Sequence, residues 1–527
     1  LGAGAVFAQG KGRSFYLSPG GSDQNNGSEA KPWKSIQKAV ERLSPGDTLI
    51  LLEGTYDESV TFSVSGTAEA PITIQGKGNV VFDGFKGKPL AGRDETEVLN
   101  VPAIGQVKYG LFKKEAAINT GGHKHLQIGG ITANYVRAGV EVSPGSEHII
   151  IDGLRTHGNR FAMVIEGGKH ITIRNTIADM SRNAFRMFKG ASNILFERVQ
   201  AYRSRDVDYI AQQMREKRDE IKGGDLYLNG DGFIAERDVS HLTFRDIFSG
   251  SHWDAGFDLK ASDIEMAGVI AFGSKNNIKL WGDRINVSDS FTIGAIAQPR
   301  PGRSAVEGHG LTVEEEGDVT FRNVTFIGGP QSAHNIRIYA KKGMAGKLAL
   351  KNSIVALAGP SGALFKNDGG TFISENNVWS DPNLRRPPPD FVSASDQLID
   401  PQFVNPAASN FNLKPKSPTT GKGASSKMAE RVSKFDFKDK GPRAELRVEI
   451  DRRRFAQTAF LTGLGISFSD FAPVTSAQAV SEERDVWVRA GEMKIIRDES
   501  GDLWDAKLVT DKGSDNGVHL TSRDPAD

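Results

Sequence analysis

The chain has 527 residues, with 66 Lys or Arg against 65 Asp or Glu, 59 Gly, 22 Pro and no Cys. A net charge of +1 gives no global attraction to nucleic acid or an anionic membrane, and 38% apolar content excludes both disorder throughout and a membrane bundle. Without Cys there are no disulfides, thiol nucleophiles or thiolate metal sites, so a metal would have carboxylate, carbonyl or imidazole ligands.

The opening residues Leu1 to Phe7 are small and apolar and run into Ala8, as the tail of an export signal does. Residues 1–12 are therefore read as a residual export segment, and the protein as secreted or periplasmic. Further along, segments with an alternating apolar opening start at His148, His170, Asn193, His241, Asp263, Arg284, Asp318 and Lys347. Their starts differ by 22, 23, 48, 22, 21, 34 and 29 residues, a unit near 22 lengthened in places by insertions. Asn175, Asp246, Asp289, Asn323 and Asn352 recur at one place in the unit, as at a repeated turn. His123, His125, His148, His170 and His241 mostly stand just before first strands and read as a bend motif.

A second strand follows in several copies, beginning at Phe161, Asn183, Asp231, Ala255 and Asn276. Short strands, bends with Gly and Asn, and little helix predict an all-β chain built as a right-handed, single-stranded parallel β-helix over residues 13–425. A leucine-rich frame is absent. Residues 202–229 leave the repeat and include a polar, helical run from Ala211 to Ile221, a candidate wall of a cleft. Gln298 to Gly310 is a second excursion. The repeat fades after about Ser380, where Pro387-Pro388-Pro389 marks a break. Asp451-Arg452-Arg453-Arg454-Phe455 and the apolar run to Phe468 look like a twin-arginine signal inside the chain; residues 426–527 receive no role.

The stretches Phe15-Tyr16-Leu17-Ser18-Pro19, Lys31-Pro32-Trp33-Lys34-Ser35-Ile36 and Pro45-Gly46-Asp47-Thr48 resemble the start of many secreted β-helix proteins that act on carbohydrates. That resemblance makes Lys34 to Leu43 a capping helix. Asp231-Gly232-Phe233, Asp254-Ala255-Gly256-Phe257-Asp258 and Asn276-Asn277-Ile278-Lys279-Leu280-Trp281-Gly282, in that order at one-coil intervals, resemble family 9 polysaccharide lyases of the pectate lyase type. The resemblance implies Asp231, Asp254 and Asp258 as Ca²⁺ ligands and Lys279 as the catalytic base. The pattern departs at Ala255, where a further carboxylate is expected.

The repeat adds its own constraint. Aligning the second strands brings Arg186, Ile234, Asp258 and Lys279 to one position on successive coils, roughly 4.8 Å apart. Carboxylates converging on one edge call for a cation or for Lys and Arg, and an oxygen-only donor set favours Ca²⁺ or Mg²⁺ over zinc. Arg186 and Arg284 are candidate binders of substrate carboxylates. The expected reaction is β-elimination of an acidic, uronic acid-containing polysaccharide by a monomer with no nucleic acid or membrane partner. Gly308-His309-Gly310 with Arg337-Ile338-Tyr339 faintly resembles inverting polygalacturonases, so a hydrolase is the alternative, with a non-catalytic glycan binder as a third reading.

Overall fold

The structure, a computed structural model, describes residues 12–84, 96–101, 105–110, 115–206, 228–300, 303–329, 332–341, 343–356, 363–380, 391–435, 493–497, 503–509 and 517–522. The export-like opening, the run from Ala211 to Ile221, the triple proline and the twin-arginine-like segment lie outside the described residues. Two compact units result, Leu1–Leu99 with Lys108–Phe435, and Asn100–Val107 with Asp436–Asp527. In the second, Met493–Arg497, Leu503–Val509 and Gly517–Ser522 form an antiparallel sheet.

The first unit is the expected parallel β-helix. One coil comprises Glu147–Asp152, Arg155–His157 and Phe161–Glu166. Its first two strands enter a 22-stranded sheet and its third an 11-stranded sheet. The next coil repeats the pattern in parallel, with Ile149 opposite Ile171 and Met163 opposite Phe185. Alternation decides what faces inward: Ile149, Ile151, Ile171, Ile173, Ile194 and Phe196 are fully buried or nearly so. In-register stacking then places like on like. Phe185, Phe233 and Phe257 stack with ring centroids 4.8 and 4.9 Å apart, and Phe196 on Phe244 at 5.1 Å. The two columns meet edge to face, as in Phe196 against Phe233 at 5.3 Å.

The corners explain the polar repeats. Asn175, Asp246, Asp289, Asn323 and Asn352 have φ of 51, 57, 43, 55 and 49°, the left-handed region that Asn and Asp enter at least cost after Gly. Their side chains bond along the stack, Asn352 Nδ2 donating to Asn323 Oδ1 at 2.7 Å. The bend histidines behave alike: His125, His148, His170 and His241 have φ between 54 and 58°. The rings of His125, His148 and His170 stack at 4.7 and 4.8 Å. This ladder runs along one side of an open groove that Gln127, Ile150, Thr172 and Leu195 also line.

The ends of the coil stack are closed by helices and loops. Helix α1 (Ile36–Val40), shorter than the expected Lys34 to Leu43, buries Ile36, Ala39 and Val40 in the main core cluster. Beyond the fading repeat, residues 422–431 run back along one corner as a strap. Lys422 Nζ donates to Asn376 O, the Gly423 N–H to Asn352 O, the Ala424 N–H to Thr325 Oγ1, the Ser425 N–H to Asp289 Oδ1 and Arg431 to Asp246 Oδ1. Gly423 has φ of 71°, and a Cβ there would lie 2.5 Å from Thr325 Oγ1, so the close approach requires glycine. The later helix (Ser426–Ser433, α2) buries Met428, Ala429 and Val432.

Because Phe233 is fully buried between two stacked rings, Phe233→Ala is expected to cost about 3–5 kcal/mol, read as a shifted urea midpoint with the parent fold retained by circular dichroism. A shift below about 1 kcal/mol would mean that the column does not hold the coils.

Candidate active site

The 11-stranded sheet carries the site. Its relevant strands are β1 (Asn183–Phe188), β2 (Phe233–Ala235), β3 (Ala255–Leu259), β4 (Asn276–Leu280), β5 (Gly308–Val313), β6 (Ser332–Ile338) and β7 (Ala363–Asn367), neighbours in that order. One register row reads Arg186, Ile234, Asp258, Lys279, Thr312, Arg337 and Lys366. Asp258 and Lys279 are therefore direct neighbours on adjacent coils, as the strand alignment predicts. Lys279 Nζ lies 3.9 Å from Asp258 Oδ2 and 4.9 Å from the Trp281 ring centroid, while Trp281 Nε1 donates to Asp258 Oδ1 at 2.8 Å.

Asp231 and Asp254 stand just before β2 and β3, and both are almost fully buried. Asp231 Oδ1 accepts the Ala255 N–H at 2.7 Å. Asp254 Oδ1 accepts from Lys275 Nζ at 3.1 Å and from Asn276 Nδ2 at 3.3 Å. Burial pushes the Asp231 carboxyl well above the usual carboxylate range, and the negative charges of Asp254 and Asp258 push it further. Asp258 is also raised by burial, against the pull of Lys279 and Lys260. Burial on its own favours the neutral amine of Lys279, but Asp258, Asp254, Glu314 and Asp231 together outweigh it and hold the side chain protonated.

The two arginines part company. Arg186 shares the face and lies two coils before Asp258, its guanidinium 3.5 Å from Glu236 Oε1. Arg284 does not join the site. The chain turns at Gly282 and Asp283, and Arg284, at φ of 54°, leads into Ile285–Ile293 of the other sheet. There it binds both Asp263 oxygens at 2.6 and 2.9 Å, an exposed guanidinium on a half-buried carboxylate, on the bend ladder that continues from the histidines. Five residues separate it from Lys279 in sequence, but a corner separates them in space.

Two groups at the site carry no motif. Lys275, in the turn before β4, places its ammonium 3.1 Å from Asp254 Oδ1 and so offsets part of the aspartates' negative charge. Glu314, directly after β5, is buried, which pushes its carboxyl up to about 7 against the pull of Lys279. Burial next to a column of charges was the available signal, and it is invisible in sequence. The Gly308-His309-Gly310 motif begins β5, with His309 opposite Asn276 rather than opposite Lys279, and its ring is 3% exposed.

The Glu314 shift has a sign. A carboxyl whose folded value lies above its unfolded one favours folding fully below about pH 4.5, and this contribution is lost as pH rises through about 7. Glu314→Gln is therefore expected to match the parent near pH 5 and to exceed it by about 2 kcal/mol above pH 8, checked by melting temperature against pH. A gap that stays constant with pH would show that Glu314 titrates normally.

An uncharacterized protein, YwoF, of Bacillus subtilis (strain 168) is 31% identical over 165 residues, 31% of this chain and 32% of the relative. Pectate lyase PEL9 of Emericella nidulans is 37% identical over 184 residues, 30% of this chain and 42% of the relative. The matches thus span less than half the length of either relative. Among solved structures, the crystal structure of pectate lyase Pel9A superposes with a TM-score of 0.44 at 17% identity, covering 82% of this chain and 95% of that one. The family model described as "Pel9A-like, right handed beta helix region" matches residues 15–290, more than half of the chain, and the chain belongs to that Pel9A-like family.

Proposed function

We propose that the protein is a polysaccharide lyase that cleaves a pectate-like, uronic acid-containing chain by β-elimination, with Lys279 as the base. The observation that carries this reading is the adjacency of Lys279 and Asp258 in one register row, with Asp231 and Asp254 buried beside them. Family membership supports it, as does the relation to pectate lyase PEL9.

Asp231, Asp254 and Asp258 have the donor chemistry that a hard divalent cation takes, though their oxygens do not all lie within 4.8 Å of one another. They offer oxygen donors alone, and burial, followed by the charges of Asp254 and Asp258, raises the Asp231 carboxyl, a charge that a bound cation would offset. In this reading Asp231, Asp254 and Asp258 hold Ca²⁺, which when bound neutralises the substrate carboxylate and the charge that develops beside it. Burial acts on Lys279 in favour of the amine, against the aspartates and Glu314 that hold it protonated, and Trp281 fixes Asp258 beside it. The amine takes the C5 proton of the uronate. The C5–H electrons form the C4–C5 double bond, the C4–O4 bond breaks with its pair on O4, and O4 is protonated from water. Arg186, two coils along, is placed to pair with the carboxylate of a neighbouring sugar if it releases Glu236.

The test is absorbance of unsaturated ends released from a panel of uronic acid polymers, with and without Ca²⁺. Lys279→Ala is expected to reduce turnover by about 10²–10⁴ while the fold is kept, and Lys279→Arg to fail equally, because guanidinium does not release its proton. An active Arg variant would remove Lys279 as the base. New reducing ends without the absorbance would replace the lyase with a hydrolase, and no new ends with retained binding would leave a glycan binder.

A further inference from the structure

We infer that Glu307, His309 and His334 form a second metal site, chemically distinct from the aspartate cluster and selective for a borderline first-row cation such as Zn²⁺. The residues come together through the coil register. His309 on β5 and His334 on β6 are opposite one another on adjacent coils, with ring centroids 5.3 Å apart, and Glu307 directly precedes β5. One donor atom from each of the three lies within 4.8 Å of the others, and His334 Nδ1 is 3.9 Å from Glu307 Oε2. Ligands of a tetrahedral zinc stand roughly 3.3 Å apart for bonds of about 2.0–2.1 Å, so closure requires a modest inward shift. The exposed Glu307 side chain can supply it.

A second observation points to a missing partner. The Nδ1 atoms of both His309 and His334 are buried and have no hydrogen-bond partner among the described residues, and His309 as a whole is only 3% exposed. Buried ring nitrogens are ordinarily paired, because an unmet polar atom forfeits its hydration for nothing. A lone pair directed at a metal resolves this.

The surroundings set the selectivity. Lys275, Arg337 and Lys366 all oppose the positive charge of a protonated His309 and would oppose a bound cation as well. Glu307 and Asp368 act in the other sense at His334, so diffuse attraction and repulsion are mixed, and binding relies on coordination bonds, which two imidazoles and one carboxylate give to Zn²⁺, Co²⁺ or Ni²⁺ and not to Ca²⁺ or Mg²⁺. Arg337 contacts Glu307 at 3.3 Å but is held independently by Asp368 at 2.9 Å, so Glu307 can turn to a metal without leaving the guanidinium unpaired. Three protein ligands leave a coordination position open. The site stands one coil beyond Asn276, whose amide bonds Asp254.

The experiment uses the full chain, stripped with a chelator and dialysed, then titrated calorimetrically with Zn²⁺ in excess Ca²⁺ and followed by Co²⁺ visible absorption. One Zn²⁺ per chain, and Co²⁺ bands typical of nitrogen and oxygen ligation, are expected. His334→Gln and Glu307→Gln should each weaken Zn²⁺ by at least about tenfold, since even outer partners of metal ligands cost roughly 10–100-fold. Asp258→Asn should leave Zn²⁺ binding unchanged, which separates this site from the aspartates whatever the enzyme's activity. Both substitutions replace partly exposed side chains, and a circular dichroism spectrum equal to the parent confirms the fold. Absence of Zn²⁺ binding by the parent, binding that survives both substitutions, or binding lost with Asp258→Asn would each overturn the assignment.

Discussion

Hydrogen bonding between parallel strands fixes successive coils roughly 4.8 Å apart, and every residue in a register row must live with the side chains directly above and below it. Apolar rows gain from this, since flat rings separated by that distance are in contact. Phe185, Phe233 and Phe257 use it, and so do the stacked histidines at the bend. Charged rows lose unless signs alternate. Arg284 on Asp263 and Lys347 on Asp318 are alternating pairs on the outside of the coils. The same spacing that makes the core cheap therefore makes a run of aspartates expensive.

That expense is concentrated at β2, β3 and β4. Asp231, Asp254 and Asp258 are buried together, and two lysines are drawn in to meet them from different directions, Lys279 along the row and Lys275 from the turn. Buried carboxyls held above their usual range beside a buried amine mark this row as a candidate site, since perturbed groups of that kind cluster where function lies. Two coils farther along, Glu307, His309 and His334 bring together two imidazoles and a carboxylate, a different set of groups from the aspartates.

Much of the fold was legible because its constraints are local and repeated. Asn and Asp at one place in a 22-residue unit mark corners that need positive φ, and the histidines before first strands mark the others. Once the strands are aligned, the pairing of Asp258 with Lys279 follows without any knowledge of distances. Arg284 shows where such reading fails: nearness along the chain hid a corner, and the side chain faces the other sheet. Lys275 and Glu314 were missed for a different reason. Neither lies at an alternating strand position, and what makes them unusual is burial beside charges contributed by other coils. The strap was unreadable altogether, because its partners are 136 and 185 residues away and nothing in its sequence repeats.

The strap changes how the solenoid comes apart. A stack of coils that touch only their neighbours frays from an open end, one repeat at a time. Here residues 422–431 fasten corners from Asn376 back to Asp246, as a lace runs through successive eyelets, and the coils bearing Lys279 and the histidines lie inside the laced stretch. Loss of the terminal coils alone cannot proceed inward until the lace is released, so the middle of the stack opens as one cooperative block. Proteases and mild denaturant would meet a protein that resists nibbling from that side and then yields all at once.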